Sequence, residues 1–205
     1  MAQVAIQHSA VDLDAVDSSL REAHARFLRA NEDRLVTFGP IRHADGSPAG
    51  YAYQADFPGT TMEAMHRFLA EDPYTVAGLY HACSVSAWKC MLKNRQLSMP
   101  RRPGLRGFFF YGIGKPNVTA RRNEVVDAHR SHLMAIDENH CVSRGPITNG
   151  AGKEWLGSAM VYEFPDRHAF DVFFEKEPYC TSGLYQRIDI YHWQRGEVAI
   201  AHRAP

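Results

Sequence analysis

The stretch DPYTVAGLY at residues 72–80 returns as EPYCTSGLY at residues 177–185, an offset of 105. Acid, proline, tyrosine, glycine, leucine and tyrosine recur in one order, so the chain reads as two copies of one unit. Working outward, Trp88 and Trp193 keep the same offset, and Gly39-Pro40-Ile41 returns as Gly145-Pro146-Ile147 at 106. The segment His24-Ala25-Arg26-Phe27-Leu28 is set against His132-Leu133-Met134-Ala135-Ile136, at 108. Small loop insertions and deletions produce drifts of this size. Each copy is then roughly 95 to 100 residues, an ordinary small-domain length.

Each copy carries the same element signals. In the first, a short apolar strand at 4–7 precedes a helix with N-cap chemistry at Asp17-Ser18-Ser19, running through about Asn31. Leu20, His24, Phe27 and Leu28 fall on one face of that helix. A strand at 35–42 ends in the turn residues Asp45-Gly46-Ser47-Pro48, followed by a strand at 51–57 and a helix at 61–70. Asp72-Pro73 stops that helix, because a residue before proline is pushed out of the α region. A last strand spans 80–92. The second copy repeats the order with strands at 107–112, 141–147, 158–164 and 185–194 and helices at 120–138 and 167–176. The phenylalanines Phe108, Phe109 and Phe110 alternate across the opening strand as core filling. The order βαββαβ is that of a ferredoxin-like α+β unit with both helices on one sheet face. Residues 95–106, with Pro100, Pro103, Gly104 and four arginines, read as a linker between units 1–94 and 107–205.

Composition narrows the partners. Lys+Arg and Asp+Glu both number 23, so no bulk charge draws the chain to nucleic acid or an anionic membrane. With 45% hydrophobic residues it has material for real cores. Cys83, Cys90, Cys141 and Cys180 are scattered without a CxxC pair, and read as buried thiols in a reducing compartment. The N-terminal residues lack a signal-peptide pattern, and no apolar run approaches the ~20 residues that cross a bilayer. The expected location is cytoplasmic and the expected partner a small-molecule substrate.

The candidate chemistry sits between residues 20 and 46. His24 lies on the apolar face of the first helix, and Asp45 follows the second strand. A carboxylate on one imidazole nitrogen would fix the tautomer and raise basicity, as a general base needs. Each residue also has a plain structural explanation: a satisfied core histidine, and an Asp-Gly turn. Arg21, one helical turn before His24, and Arg42, at the end of the strand, could each meet an anionic oxygen or simply be solvated. Tyr74 could wall a pocket, and His43 could carry a proton or sit in solvent. In the second copy His132 matches His24, with His129 on the same face. Two histidines at i, i+3 without a third ligand do not make a zinc site, and no metal is assigned.

Arg21-x-x-His24, Gly39-Pro40, Asp45-Gly46, Asp72-Pro73-Tyr74 with Ala77-Gly78-Leu79, and the closing Trp88 together resemble the YciI-like (YCII-related) family of the dimeric α+β barrel superfamily. The resemblance implies two units packed sheet to sheet, so that a tandem chain achieves within one molecule what single-unit relatives achieve by dimerising. A further homodimer of the tandem chain is possible. It also implies a cofactor-independent enzyme built on a His-Asp pair, carried over here as His24 and Asp45. One known activity of such proteins is removal of HCl from a chlorinated hydroxyhydroquinone, and related barrels include muconolactone isomerases and cofactor-free monooxygenases. The second copy aligns Ala151 with Asp45, so it is expected to be degenerate, with His132 counted among the substrate-binding residues and either retained as packing or using another partner such as His129. The expected function is a cofactor-independent lyase or isomerase acting on a small cyclic phenolic or enolisable substrate. The alternatives are a small-molecule binding protein without chemistry and a cofactor-free monooxygenase.

Overall fold

In the computed structural model, residues 2–57, 59, 62–92, 94–149 and 152–198 are described. The first half carries β1 (Ala2–His8), α1 (Ser18–Ala30), β2 (Leu35–Arg42), β3 (Pro48–Asp56), α2 (Glu63–Glu71), α3 (Pro73–Val76) and β4 (Ala82–Trp88). The second carries β5 (Arg106–Gly114), α4 (Thr119–Met134), α5 (Asp137–His140), β6 (Cys141–Thr148), β7 (Trp155–Phe164), α6 (Arg167–Phe174), α7 (Pro178–Thr181) and β8 (Tyr185–Trp193). The expected start of α2 at Thr61 lies outside the described residues. The helix expected at 120–138 divides into α4 and α5, and Asp137 at the head of α5 is gripped by Arg144 at 2.7 and 2.6 Å.

All neighbouring strands run antiparallel and close into an eight-stranded barrel, β1-β3-β2-β8-β5-β7-β6-β4, with β4 returning to β1. Each half supplies four consecutive staves. The halves join at two short seams: Ile41 and Arg42 of β2 against Trp193 and His192 of β8, and Ala87 and Trp88 of β4 against Thr148 and Ile147 of β6. This is the intramolecular α+β barrel of two ferredoxin-like units that the resemblance to the YciI-like family implies.

Strand alternation partitions the core. On β5, Phe109 and Tyr111 point into the barrel with Val4, Ile6, Trp88 and Val161. Phe108 and Phe110 point outward, beneath the helices of the second half with Leu133, Tyr162 and Phe170. An equivalent outer layer in the first half joins Leu28, Phe38, Tyr53 and Phe68.

The seams explain the repeated Gly-Pro-Ile. As the chain leaves β8 it crosses Gly39, where a β-carbon would overlap the Gln194 carbonyl; as it leaves β4 it crosses Gly145, where a β-carbon would overlap the Lys89 carbonyl. The Trp88 indole donates to the carbonyls of Gly145 and Ala159, both at 3.0 Å.

The stretch read as a linker is firmly held. The Gln96 amide accepts from Phe38 N and donates to the Gly196 carbonyl, both at 2.9 Å. Glu163 is shared by Arg102 and Arg195 at 2.9 and 2.8 Å. The cysteines depart from expectation: only Cys141 is buried, while Cys83, near the start of β4, is exposed. No helix among the described residues is long and apolar enough to cross a membrane.

Candidate active site

The first half builds its site from three elements. Asp17 caps α1 by accepting from Ser19 N at 2.8 Å, which sets the helix phase that turns His24 and Leu28 inward. His24 is only 4% exposed. On β3, Tyr51 and Tyr53 share the face that meets α1. The third element is the Asp72-Pro73 break. Proline opens α3, and the Asp72 carboxylate caps it by accepting from Tyr74 N at 2.8 Å. The cap holds that carboxylate fully buried beside His24.

The resulting contacts form a chain. Tyr53 donates its hydroxyl proton to Asp72 Oδ2 at 2.7 Å, and its oxygen stands 2.9 Å from His24 Nε2. With the Tyr53 proton committed to Asp72, Nε2 is the nitrogen that carries hydrogen and donates. Nδ1 then holds the lone pair, and it has no hydrogen-bond partner among the described residues. Asp72 Oδ1 lies 3.7 Å from Nε2. Tyr74 stacks on the imidazole with centroids 4.0 Å apart, and Tyr51 meets it edge-on at 5.0 Å.

Burial dominates the electrostatics. It lowers His24 from 6.5 to about 3 and raises Asp72 from 3.8 to about 6, against the pull of the Tyr53 hydroxyl and the Tyr74 and Thr75 amides. Burial and then the Asp72 charge keep Tyr53 protonated far above the usual phenol range. At neutral pH the imidazole is therefore uncharged. His24, Arg21, Tyr51 and Tyr74 line a cavity of about 440 Å³, roofed by residues 194–197 arriving from the other half.

The expected partner of His24 is thus replaced. Asp45 is exposed and accepts from Ser47 N and Oγ at 2.9 and 2.6 Å; it closes a turn and does not meet His24. Arg42 is engaged by Asp12 and Asp14 at 2.7 and 3.0 Å and does not line the His24 cavity. Arg21 lines it while donating to the Asp14 carbonyl at 3.2 Å. His43 lies near Tyr191, with ring centroids 5.7 Å apart. Tyr53 and Asp72 are the residues sequence reasoning missed. A signal existed for Asp72: the acid recurs as Glu177, although stopping a helix needs only the proline.

The second half corrects the alignment of the copies. His129, at the repeat's own offset of 105, occupies the place of His24, and Leu133 that of Leu28. His129 Nδ1 meets Glu177 Oε1 at 2.5 Å, and its ring lies 3.7 Å from that of Tyr179 at an interplanar angle of 1°. His132 stacks on Phe173 at 4.2 Å and contacts its carbonyl, as Phe27 packs on Phe68 at 4.7 Å. Setting His24 against His132 put the two helices one turn out of phase. Ala151, matched to Asp45, lies outside the described residues and has no bearing on the pair. The second half is therefore not stripped of its histidine–carboxylate pair.

The two pairs differ in one respect. Met160 stands at the register position of Tyr53, each paired with the residue before the seam glycine. No phenol intervenes, and the longer glutamate reaches the imidazole directly. Burial works to raise Glu177, but the His129 hydrogen bond and charge and the Tyr179 and Cys180 amides outweigh it, holding the carboxyl below its usual range. Among the described residues no cluster of three or more His, Cys, Asp or Glu side chains could hold a metal ion.

The YCII-related domain model matches residues 2–89 and again residues 108–194. This chain belongs to the YCII-related domain family. No curated protein matches it by sequence. Among solved structures, 5-chloro-2-hydroxyhydroquinone dehydrochlorinase from Burkholderia phenoliruptrix AC1100, in complex with 2,5-dihydroxybenzoquinone, is 23% identical over 44% of this chain and 95% of its own, with a TM-score of 0.40. A chlorite dismutase mutant from Candidatus Nitrospira defluvii is 10% identical over 96% and 91% of the two chains, with a TM-score of 0.59. An anthrone oxidase-like protein is 9% identical over 96% and 90%, with a TM-score of 0.55. At such identities the two longer matches establish a common fold. A YCII chain with both domains in tandem fills one whole barrel.

Proposed function

We propose that the N-terminal site is a cofactor-independent proton-transfer centre, a lyase or isomerase site for a small cyclic phenolic or enolisable substrate. The observation that carries this reading is the His24–Tyr53–Asp72 chain at the wall of a 440 Å³ cavity. His24 Nδ1 takes the substrate proton, and the imidazolium formed is stabilised by the Asp72 carboxylate through the Tyr53 hydroxyl. Collapse of the resulting carbanion or enolate expels a leaving group in an elimination, or returns the proton elsewhere in an isomerisation. Arg21 is the cavity cation available to the developing oxyanion.

The test is exchange of an enolisable ring hydrogen of a hydroquinone or cyclic diketone into D2O, followed by NMR. Catalysed exchange is expected with the native protein and none with His24→Ala of unchanged circular dichroism; undiminished exchange by that variant removes the assignment. A second reading, a small-molecule binding protein without chemistry, is favoured by the burial that pulls His24 to about 3, since so weak a base accepts protons poorly. Ligand binding without exchange in the same samples would select it.

A further inference from the structure

The cavity of the second half differs in charge from the first. About 230 Å³ in volume, it lies between α4, β7 and the chain leaving β4. Its cations outnumber its acids: Lys89, Arg122, Arg130, Arg144 and Lys153 line it, against Glu154. Arg130 and Arg144 are neutralised by Asp127 and Asp137 at 3.3 and 2.6 Å. Lys89, Arg122 and Lys153 have no carboxylate partner among the described residues.

Arg122 is the informative one. It sits at the position of the α1 cap Asp17, so the repeat supplies no reason for a cation there. On α4 it falls on the inward stripe with Val126, His129 and Leu133. Its guanidinium lies over the rings of Trp155 and Tyr179, 5.7 and 5.6 Å from their centroids. Its Nε is buried with no hydrogen-bond partner. A buried donor on a permanent cation is costly unless an acceptor fills the space before it. His129 adds a second polar group, with Nδ1 engaged by Glu177 and Nε2 unpartnered among the described residues.

From this geometry we infer that the C-terminal cavity is a separate binding site for a small aromatic carboxylate, anchored by Arg122. A carboxylate matches the planar fork of guanidinium donors. The walls formed by Trp155, Met160 and Leu133 suit an aromatic body. The cavity falls below the ~300 Å³ at which drug-sized sites begin, which limits that body to about one ring. The inference does not rest on catalysis at His24.

The test uses benzoate with the full chain, read by calorimetry and by Trp155 fluorescence, with Trp155→Phe assigning the optical signal. Saturable binding is expected, roughly tenfold or more weaker in Arg122→Gln and unchanged in His24→Ala. Two comparisons in the native protein keep the question open to refutation should Arg122→Gln not fold. Benzamide, which has the shape without the charge, should bind at least ~10-fold more weakly. Inorganic phosphate, which has the charge without the ring, should do likewise. No benzoate binding, equal affinity in a folded Arg122→Gln, or equal affinity for benzamide overturns the anion site. Phosphate binding as tightly as benzoate overturns the aromatic class.

Discussion

At the scale of single residues, what matters is which acid reaches His24. Asp45→Asn is expected to leave ligand binding and proton exchange unchanged, because its contacts end at Ser47. Tyr53→Phe breaks the link between imidazole and carboxylate; on the order of 10²-fold loss of exchange rate is expected, with ~1–3 kcal/mol of stability from the unsatisfied buried partners. Kinetic assays and urea titrations of the two variants separate these outcomes. The pair also sets a pH dependence. His24 is depressed when folded, so its contribution to stability is intact above 6.5 and is lost as pH falls toward about 3. Asp72 has the opposite sign: raised to about 6, it contributes fully below 3.8 and loses that contribution as pH rises through 6. Replacing His24 by Phe removes only the first effect. The variant should therefore gain stability relative to the native protein on acidification, by up to ~3 kcal/mol between pH 6 and 4. Paired urea midpoints that run parallel over that interval would contradict the buried neutral imidazole.

At the scale of elements, the acid before each proline serves both a helix and a histidine. Asp72 caps α3 and holds Tyr53; Glu177 caps α7 through Tyr179 N and Cys180 N at 3.0 Å and holds His129. Cap and charge can be separated, because asparagine caps about as well as aspartate. Asp72→Ala is expected to lower stability by ~2 kcal/mol or more, and Asp72→Asn to retain most of it while lowering proton exchange. Equal loss of stability in both variants, measured by thermal melts, would show that charge rather than capping holds α3. The inward stripes of α1 and α4 carry the same lesson. Both present a histidine and a leucine at i, i+4, yet Arg21 gives way to Val126 and Asp17 to Arg122. One helix face can thus serve two cavities of different polarity on the same framework.

At the scale of the whole molecule, neither cavity belongs to one half. Residues 194–197 roof the first, and Lys89 and Met91 border the second, so each unit contributes the segment after its last strand to the other's site. The crossings are tightest at Gly39 and Gly145, where the opposing backbone leaves no room for a β-carbon. Gly39→Ala and Gly145→Ala are each expected to cost ~3 kcal/mol or more and to perturb the cavity roofed by the displaced strand exit. Differential scanning calorimetry with ligand titration measures both effects. A fully stable Gly39→Ala would mean that the seam can open without penalty.

Read alone, the sequence determined the duplication and the βαββαβ order, and the closing of the two units into one barrel came from the resemblance to the YciI-like family. Repeats and alternating apolar positions are local patterns that survive without coordinates: β5 sends Phe109 inward and Phe108 outward as its alternation demands. It also placed His24 on the apolar, buried face of the first helix. What it assigned wrongly was the partner of His24, a role the family resemblance placed on Asp45. Asp45, 21 residues away, and Asp72, 48 away, look equally available along the chain. Only the packing of α1 and α3 against β3 buries one and exposes the other. The match of His24 to His132 failed for a related reason. A three-residue slip keeps a histidine on the same helix face, and only contacts to Glu177 and Phe173 distinguish His129 from its neighbour one turn on. Helical and strand periods are written in adjacent residues; the meeting of an acid, a phenol and an imidazole from three elements depends on how those elements pack.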